Sequence, residues 1–511
     1  IYTLSLHDAL PISSLATRTA VAWPVPGPDS LRSDLDAALP FALTAGQERV
    51  GSELAAALDS TVPMQRLLQG DVGSGKTLVA LRAMLQVVGG GGQAALLAPT
   101  EVLAAQHHAS LGSLLGPLAG AGMLGGAERA TRVHLLTGST PASGRRRILA
   151  ELAAGEPVIV VGTHALLSET VQMPLLGLVV VDEQHRFGVA QRDALRERAL
   201  AVDPATGRRL TPHLLVMTAT PIPRTVAMTI FGDLEMTVLD ELPAGRRPVT
   251  THLVPWERET WVAGIWRRAA REVAAGGRVY VVCPRIDATG EPGAGPAADE
   301  DVVGPDDDLL DGLAGAPARP PAAVAEWAER LGAEPALEGV RIGTLTGRMS
   351  QADKDAAMED FASGRAPVLV ATTVVEVGVD VPEASLMVIL DADRFGLSQL
   401  HQLRGRVGRG GRESVCIAVT GAEVGSPAYH RLRAFARIGD GFALAEADLA
   451  LRSEGNVLGA AQSGRASDLD LLKVTRDGDV IAQARVEAEA VIAVDPELNE
   501  EIGRASCRER V

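Results

Sequence analysis

Gly70-Asp71-Val72-Gly73-Ser74-Gly75-Lys76-Thr77 sets glycines, a lysine and a hydroxyl at the spacing G-x-x-x-x-G-K-[ST]. That spacing builds a cradle for phosphate groups. Glycines let backbone N–H groups turn inward around phosphate oxygens, and a following helix N-terminus adds partial positive charge. The Lys76 ammonium can then reach the β- and γ-phosphates, and the Thr77 hydroxyl can ligand Mg²⁺. A second group of reactive residues lies downstream, where the apolar run Leu178–Val181 ends in Asp182 and Glu183. Asp182 is suited to holding Mg²⁺ and Glu183 to polarising an attacking water. An ordinary strand-end acid pair is the plain alternative, and the upstream phosphate loop disfavours it. Thr218 and Thr220 in Met217-Thr218-Ala219-Thr220-Pro221, and Thr100 in Ala98-Pro99-Thr100-Glu101, read by themselves as capped turns. Phe41 to Gln47 reads by itself as an apolar residue stapling a helix start. Farther on, Arg404, Arg406 and Arg409 stand among glycines in Gln402–Gly410, a dense basic loop. Guanidinium forks of this kind suit phosphate, and one reading is an arginine finger aimed at a bound nucleotide.

These groups need rigid elements to position them. Met64–Leu68, Ala94–Ala98, Val133–Leu136, Val158–Val161, Leu178–Val181 and Leu214–Met217 are nearly continuous Val/Leu runs. Such runs fit parallel strands buried on both faces. A helix-period run from Leu78 to Val88 follows the phosphate loop. The rhythm restarts after Gly245-Arg246-Arg247-Pro248 with Arg278–Cys283, Val340–Leu345, Val368–Ala371, Leu386–Leu390 and Val415–Val419. The expected fold is α/β, with two tandem parallel-sheet domains over 40–245 and 246–425. Strand signals then stop, and 426–500 reads as a small helical segment, with Glu446–Arg452 and Val480–Val494 amphipathic.

With 511 residues, two or three domains are expected. No apolar run is long enough to span a membrane as a helix. The net charge of −16 argues against a nucleic-acid partner when taken alone. Much of that acid is local to 287–321, which carries Asp299-Glu300-Asp301 and Asp306-Asp307-Asp308 amid Gly, Pro and Ala and reads as a disordered insertion. Cys283, Cys416 and Cys507 are far apart, which speaks against structural zinc and fits a reducing compartment. Residues 1–13 and 501–511 read as adapter-derived sequence, with 14–39 a remnant linker.

Taken in order, GDVGSGKT, APTEVLAAQH, GTHAL, DEQHRFGVAQR, MTATPIPRT, ATTVVEVGVDVP and HQLRGRVGRG resemble the motif series of superfamily 2 helicases. The wording is closest to the RecG family, ATP-dependent helicases of branched DNA. DEQHRFGV is the sharpest discriminator, since the transcription-repair coupling factor typically carries EEQRFGV there. The resemblance implies two RecA-like domains, ATP and Mg²⁺ as cofactors, sequence-independent binding of branched or duplex DNA, and a monomer in the bacterial cytoplasm near the nucleoid. By the same resemblance Phe41 and Gln47 recognise adenine and Asp380 lies near the ribose. Arg406 and Arg409 are the finger arginines. Thr100, Thr163, His164, Thr218, Thr220, Thr372 and Thr373 contact DNA or couple to it, and Arg431, Arg452 and Gln462 belong to a translocation motif.

Two departures touch fine coupling. Ser453-Glu454 stand where many relatives have Gly-Pro, and Thr346 stands where His is frequent. In RecG a wedge domain precedes the motor, and residues 14–39 are too short to form one. The resulting expectation is a motor fragment that hydrolyses ATP and moves weakly on duplex, without fork selectivity. A coupling-factor-like translocase, a DNA-binding module without turnover and a P-loop switch are the rival readings.

Overall fold

The computed structural model describes residues 19–122, 125–168, 170–182, 201–202, 209–219, 234–241, 248–287, 320–373 and 381–451. They divide into two compact units, one within 19–241 and one within 248–451. The first unit contains β1 (Gln65–Gly70), β2 (Gln93–Leu97), β3 (Val133–Leu136), β4 (Ile159–Gly162), β5 (Leu176–Asp182), β6 (Ala201–Val202), β7 (Arg209–Leu210), β8 (His213–Thr218) and β9 (Glu235–Leu239). Seven of these form one all-parallel sheet in the order β3-β4-β2-β5-β8-β1-β9. The short β6 and β7 pair antiparallel. The second unit contains β10 (Thr250–Pro255), β11 (Arg278–Val282), β12 (Ile342–Leu345), β13 (Val368–Ala371), β14 (Ala384–Ile389) and β15 (Val415–Thr420). They form a second parallel sheet, ordered β10-β15-β14-β11-β13-β12.

Burial explains why the apolar runs become central strands. In the second sheet Tyr280, Val282, Leu369, Met387, Ile389 and Cys416 pack into one core. Their sequence neighbours Val279, Val281, Val368, Val388 and Ile417 pack into another on the opposite face. A period of two with both faces covered demands apolar side chains at every position. The edge strands β9 and β10 escape that demand. Glu235 is exposed on β9, and Thr250 and His252 on β10. The expected strand set omitted both for this reason, and it also omitted the two-residue β6 and β7. Val133–Leu136 and Val368–Ala371 keep both expected bounds, and the other expected strands shift by one or two residues at one or both ends, β11 for example ending at Val282 rather than Cys283 and β12 starting at Ile342 rather than Val340.

The segment leading into the first unit is pinned by one aromatic ring. Trp23 is buried against Gly90, Gly92 and Gly177, where a Cβ would stand 2.9, 2.3 and 2.5 Å from ring atoms. No larger residue fits that slot. Gln86 Nε2 donates to the Trp23 carbonyl at 2.8 Å, and Trp23 N–H donates to Leu58 O at 2.8 Å. Buried His213 receives the Met64 N–H on Nδ1 at 3.0 Å and donates from Nε2 to Val21 O at 2.9 Å. Those partners require the neutral ring with its proton on Nε2. After β15 the described chain is helical, over Pro427–Arg437 and Gly441–Leu451.

Candidate active site

The phosphate-loop residues join β1 to the helix Lys76–Gly89, whose N-cap is Gly75. Gly73 and Gly75 take φ of +80° and +90°, which residues with a Cβ rarely adopt. Gly70 is closely approached too, since a Cβ there would lie 2.7 Å from Ser74 Oγ and 3.0 Å from Leu239 O. Within the loop, Ser74 N–H donates to Asp71 O at 3.1 Å and Val72 N–H to Asp71 Oδ1 at 2.7 Å. The Lys76 ammonium is buried and donates to Gly70 O at 2.8 Å and Asp71 O at 2.9 Å. The loop's own carbonyls thus hold its cation at the loop mouth.

Gln47 reaches this loop from a separate helix. Thr44 caps the helix Ala45–Leu58, and its hydroxyl and the Gln47 side chain satisfy each other's backbone N–H groups as a capping box. The Gln47 amide nitrogen continues to Ser74 O at 3.0 Å. One side chain therefore fixes a helix start and braces the loop. Phe41 is half-exposed in the preceding turn.

Strand register aligns the remaining groups. Asp182 pairs with Met217 across β5–β8, and Thr218 pairs with Gln69 across β8–β1. Asp182, Thr218 and the loop after Gly70 thus stand on three successive strands at the C-terminal edge of the sheet. That edge is where open α/β sheets bind ligands. Thr77 and Asp182 present oxygen donors only, a set that fits a hard cation such as Mg²⁺. Among the described residues no cluster of three or more His, Cys, Asp or Glu side chains suits a metal.

Thr100 and Thr163 occupy the adjoining stretch of the same edge, after β2 and β4. Thr100 is the N-cap of the helix Glu101–Leu115, its hydroxyl accepting from Leu103 N–H at 3.3 Å. Thr163 caps the short turn His164–Leu167 and is buried. Glu101 accepts from Gly138 N–H at 2.8 Å and from Ser139 Oγ at 2.7 Å, which ties the turn after β3 to the same helix. From two turns into that helix, His107 Nε2 hydrogen-bonds Asp182 Oδ2 at 2.7 Å, with both side chains largely buried. The sequence reading passed over His107. A signal was present, because Ala104, His107, Leu111 and Leu115 share one face and the other three are buried. A histidine on that stripe needs a polar partner.

In the second unit Thr372, buried, and Thr373 follow β13. The arginine-rich stretch is only partly a loop. Arg404 ends the helix Leu397–Arg404 and is buried. Its guanidinium donates to Phe435 O at 2.9 Å, Ile438 O at 2.8 Å and Gly439 O at 2.9 Å, and meets His401 Nδ1 at 2.8 Å. It also lies 4.8 Å from the Phe435 ring centroid. Expected as part of a basic loop, Arg404 instead clamps the end of one helix to the last turn of another. Arg406 and Arg409 lie beyond the helix, with Arg409 Nε donating to Gly405 O at 3.1 Å. Arg431 Nη2 donates to Asp393 O at 3.2 Å, in the turn before the helix Leu397–Arg404. Glu183, Thr220, Asp380, Arg452 and Gln462 lie outside the described residues, as do the His164 side chain, residues 288–319 of the acidic insertion, and Val480–Val494.

Residues 46–229 match the DEAD/DEAH box helicase family and 323–411 the helicase conserved C-terminal domain. Residues 438–503 match ATP-dependent DNA helicase RecG, domain 3, C-terminal. The chain is 51% identical over 467 residues to the ATP-dependent DNA helicase RecG of Mycobacterium tuberculosis, covering 91% of this chain and 59% of that protein. The chain belongs to the RecG family. RecG of Escherichia coli O157:H7 is 41% identical over 478 residues, covering 93% of this chain and 62% of that protein. A solved RecG structure, bound to a three-way DNA junction, superposes with a TM-score of 0.69 at 36% identity, covering 94% of this chain and 55% of that one. The chain thus spans about three-fifths of the length of the RecG proteins that it matches. A yeast Dbp5 structure, 18% identical with a TM-score of 0.51, covering 89% of this chain and 97% of that one, shares the fold. Among the described residues no helix is long and apolar enough to cross a membrane.

Proposed function

We propose that this chain is an ATP-dependent DNA translocase of the RecG type, acting on duplex and branched DNA. The observation that carries the reading is the alignment of the Gly70–Thr77 cradle and Asp182 along one sheet edge, with Thr100 and Thr163 on its adjoining strands. Lys76 leaves the loop carbonyls for the β- and γ-phosphates of ATP. Backbone N–H groups of residues 71–77 bind phosphate oxygens, and Gln47, bonded to Ser74 O, fixes the adenine side. Thr77 and Asp182 hold Mg²⁺, which when bound neutralises phosphate charge. Glu183 orients the attacking water and accepts its proton. Arg406 and Arg409 stabilise charge on the departing phosphate, and Asp380 contacts the ribose. DNA is held mainly by its phosphates, so binding is sequence-independent and weakens with salt. Thr100, Thr163, His164, Thr218, Thr220, Thr372 and Thr373 contact that backbone or pass its presence to the nucleotide. Arg431, Arg452 and Gln462 couple hydrolysis to movement. The chain works as a monomer in the cytoplasm.

The test is steady-state ATPase activity with Mg²⁺, with and without duplex DNA, on wild type, Lys76→Ala and Glu183→Gln. The proposal expects DNA-stimulated hydrolysis that both substitutions abolish. Turnover retained in both variants would move the catalytic centre elsewhere.

A further inference from the structure

We propose that His107 is a positioning residue for Asp182, through which the DNA-facing end of the helix Glu101–Leu115 sets the geometry of the Mg²⁺ site. The inference rests on the function proposed above, which places Mg²⁺ at Asp182 and DNA at Thr100. The sheet edge carries the two activities side by side, Thr100 following β2 and Asp182 ending β5, and β2 and β5 are hydrogen-bonded neighbours. The helix Glu101–Leu115 starts at Thr100, and roughly 10 Å along its axis it carries His107. There Nε2 binds Asp182 Oδ2 at 2.7 Å, with only 12% and 13% of the two side chains exposed. Little water competes for that contact, so it fixes which carboxylate oxygen faces His107 and leaves Oδ1 directed elsewhere.

The helix has little freedom to move without His107. Ala104 and Leu111, one turn to either side, are fully buried in the unit's core. Glu101, in the first turn, is hooked to Gly138 and Ser139. A shift of the Thr100 end on gripping a phosphate is therefore delivered as a rigid displacement at His107, and thence to Asp182. Outer hydrogen-bond partners of metal ligands commonly change metal affinity or activity by 10–100-fold when removed. The step involves no transfer of charge, because His107 acts only by holding a carboxylate in place.

The experiment compares wild type, His107→Ala and His107→Gln, the amide nitrogen of Gln standing close to the position of Nε2. The first readout is binding of a fluorescent ADP analogue titrated with Mg²⁺, which needs no turnover. The second is ATPase rate with and without duplex DNA, resolved into KM and kcat. The proposal expects His107→Ala to need about tenfold more Mg²⁺ for half-maximal nucleotide binding. It also expects most DNA stimulation of kcat to be lost, with KM for ATP at saturating Mg²⁺ and melting temperature near wild type, and His107→Gln to recover most of both effects. An unchanged Mg²⁺ requirement in His107→Ala overturns it. Equal defects in Ala and Gln variants with unchanged melting also overturn it, because the hydrogen bond would then not be what matters. A wild-type chain without DNA-stimulated hydrolysis would instead sink the functional reading, and the Mg²⁺ titration would still decide the role of His107.

Discussion

Replacing Arg404 with alanine removes one guanidinium and strips three backbone carbonyls of their donor at once. Arg404 donates to Phe435 O in a fully buried contact, and to Ile438 O and Gly439 O in partly buried ones. A buried acceptor left without a partner costs about 1–3 kcal/mol, and the two partly buried carbonyls can recover water at roughly half that each. The stacked Phe435 ring, 4.8 Å away, adds on the order of 0.5–1 kcal/mol. The sum is about 2.5–7 kcal/mol of lost stability. Arg404→Lys should lose about 2 kcal/mol, since a single ammonium cannot span acceptors on both sides of a planar fork. Urea unfolding followed by tryptophan fluorescence is the assay, because Trp256, Trp261, Trp266 and Trp327 all report on the second unit and only Trp23 on the first. A loss below about 1 kcal/mol in Arg404→Ala would refute the claim that this side chain locks the helix Leu397–Arg404 to the helix Pro427–Arg437.

Three further outcomes follow from the first unit. Gly75→Ala forces a Cβ to within 2.3 Å of Gln47 Nε2 at a φ of +90°. Binding of a fluorescent ATP analogue should weaken about 10–100-fold as strain of about 1–2 kcal/mol combines with a lost hydrogen bond; unchanged affinity would contradict the brace. Trp23→Ala empties the glycine slot and should cost about 3–5 kcal/mol, read by urea unfolding with circular dichroism as the probe. Burial lowers the pKa of His213 below its ordinary 6.5, the hydrogen bond to Val21 O opposing, and burial likewise lowers that of His134 against its Glu151 partner. Above pH 6.5 each ring is neutral in both folded and unfolded chains. As pH falls through 6.5 the unfolded chain takes up protons that the folded one resists, so stability is lost until the lowered folded pKa is reached. The melting temperature should therefore be lower at pH 5.5 than at pH 7.5, with a smaller gap in His213→Asn, which keeps an acceptor for Met64 N–H; an unchanged gap would remove His213 from the account.

The sheets were legible because a central parallel strand has no freedom of composition. Leu178–Val181 and Val368–Ala371 must be apolar at every position, and being short and rich in β-branched valine they read as buried strands rather than helix. The edge strands β9 and β10 carry Glu235, Thr250 and His252 on solvated positions and so lose that signature. The cradle at Gly70–Thr77 was legible because its spacing is local, with loop and helix start contiguous in the chain. His107 with Asp182, and Arg404 with Phe435, Ile438 and Gly439, are pairings across 75 and up to 35 residues. Motif spacing says nothing about such partners until the fold is known. Arg404 shows the limit most plainly, since its type and glycine-rich surroundings suggest a phosphate contact while its position at a helix end makes it a clamp. Cys283 and Cys416 are buried, and burial pushes the Cys416 thiol up to about 12.

The most direct test of the central claim is displacement of a third strand from a duplex track by the full chain, supplied with ATP and Mg²⁺. The account predicts release that requires ATP hydrolysis, is abolished in Lys76→Ala, and does not depend on the sequence of the duplex. DNA-stimulated hydrolysis without any strand release would contradict it and leave a DNA-triggered ATPase in place of a motor.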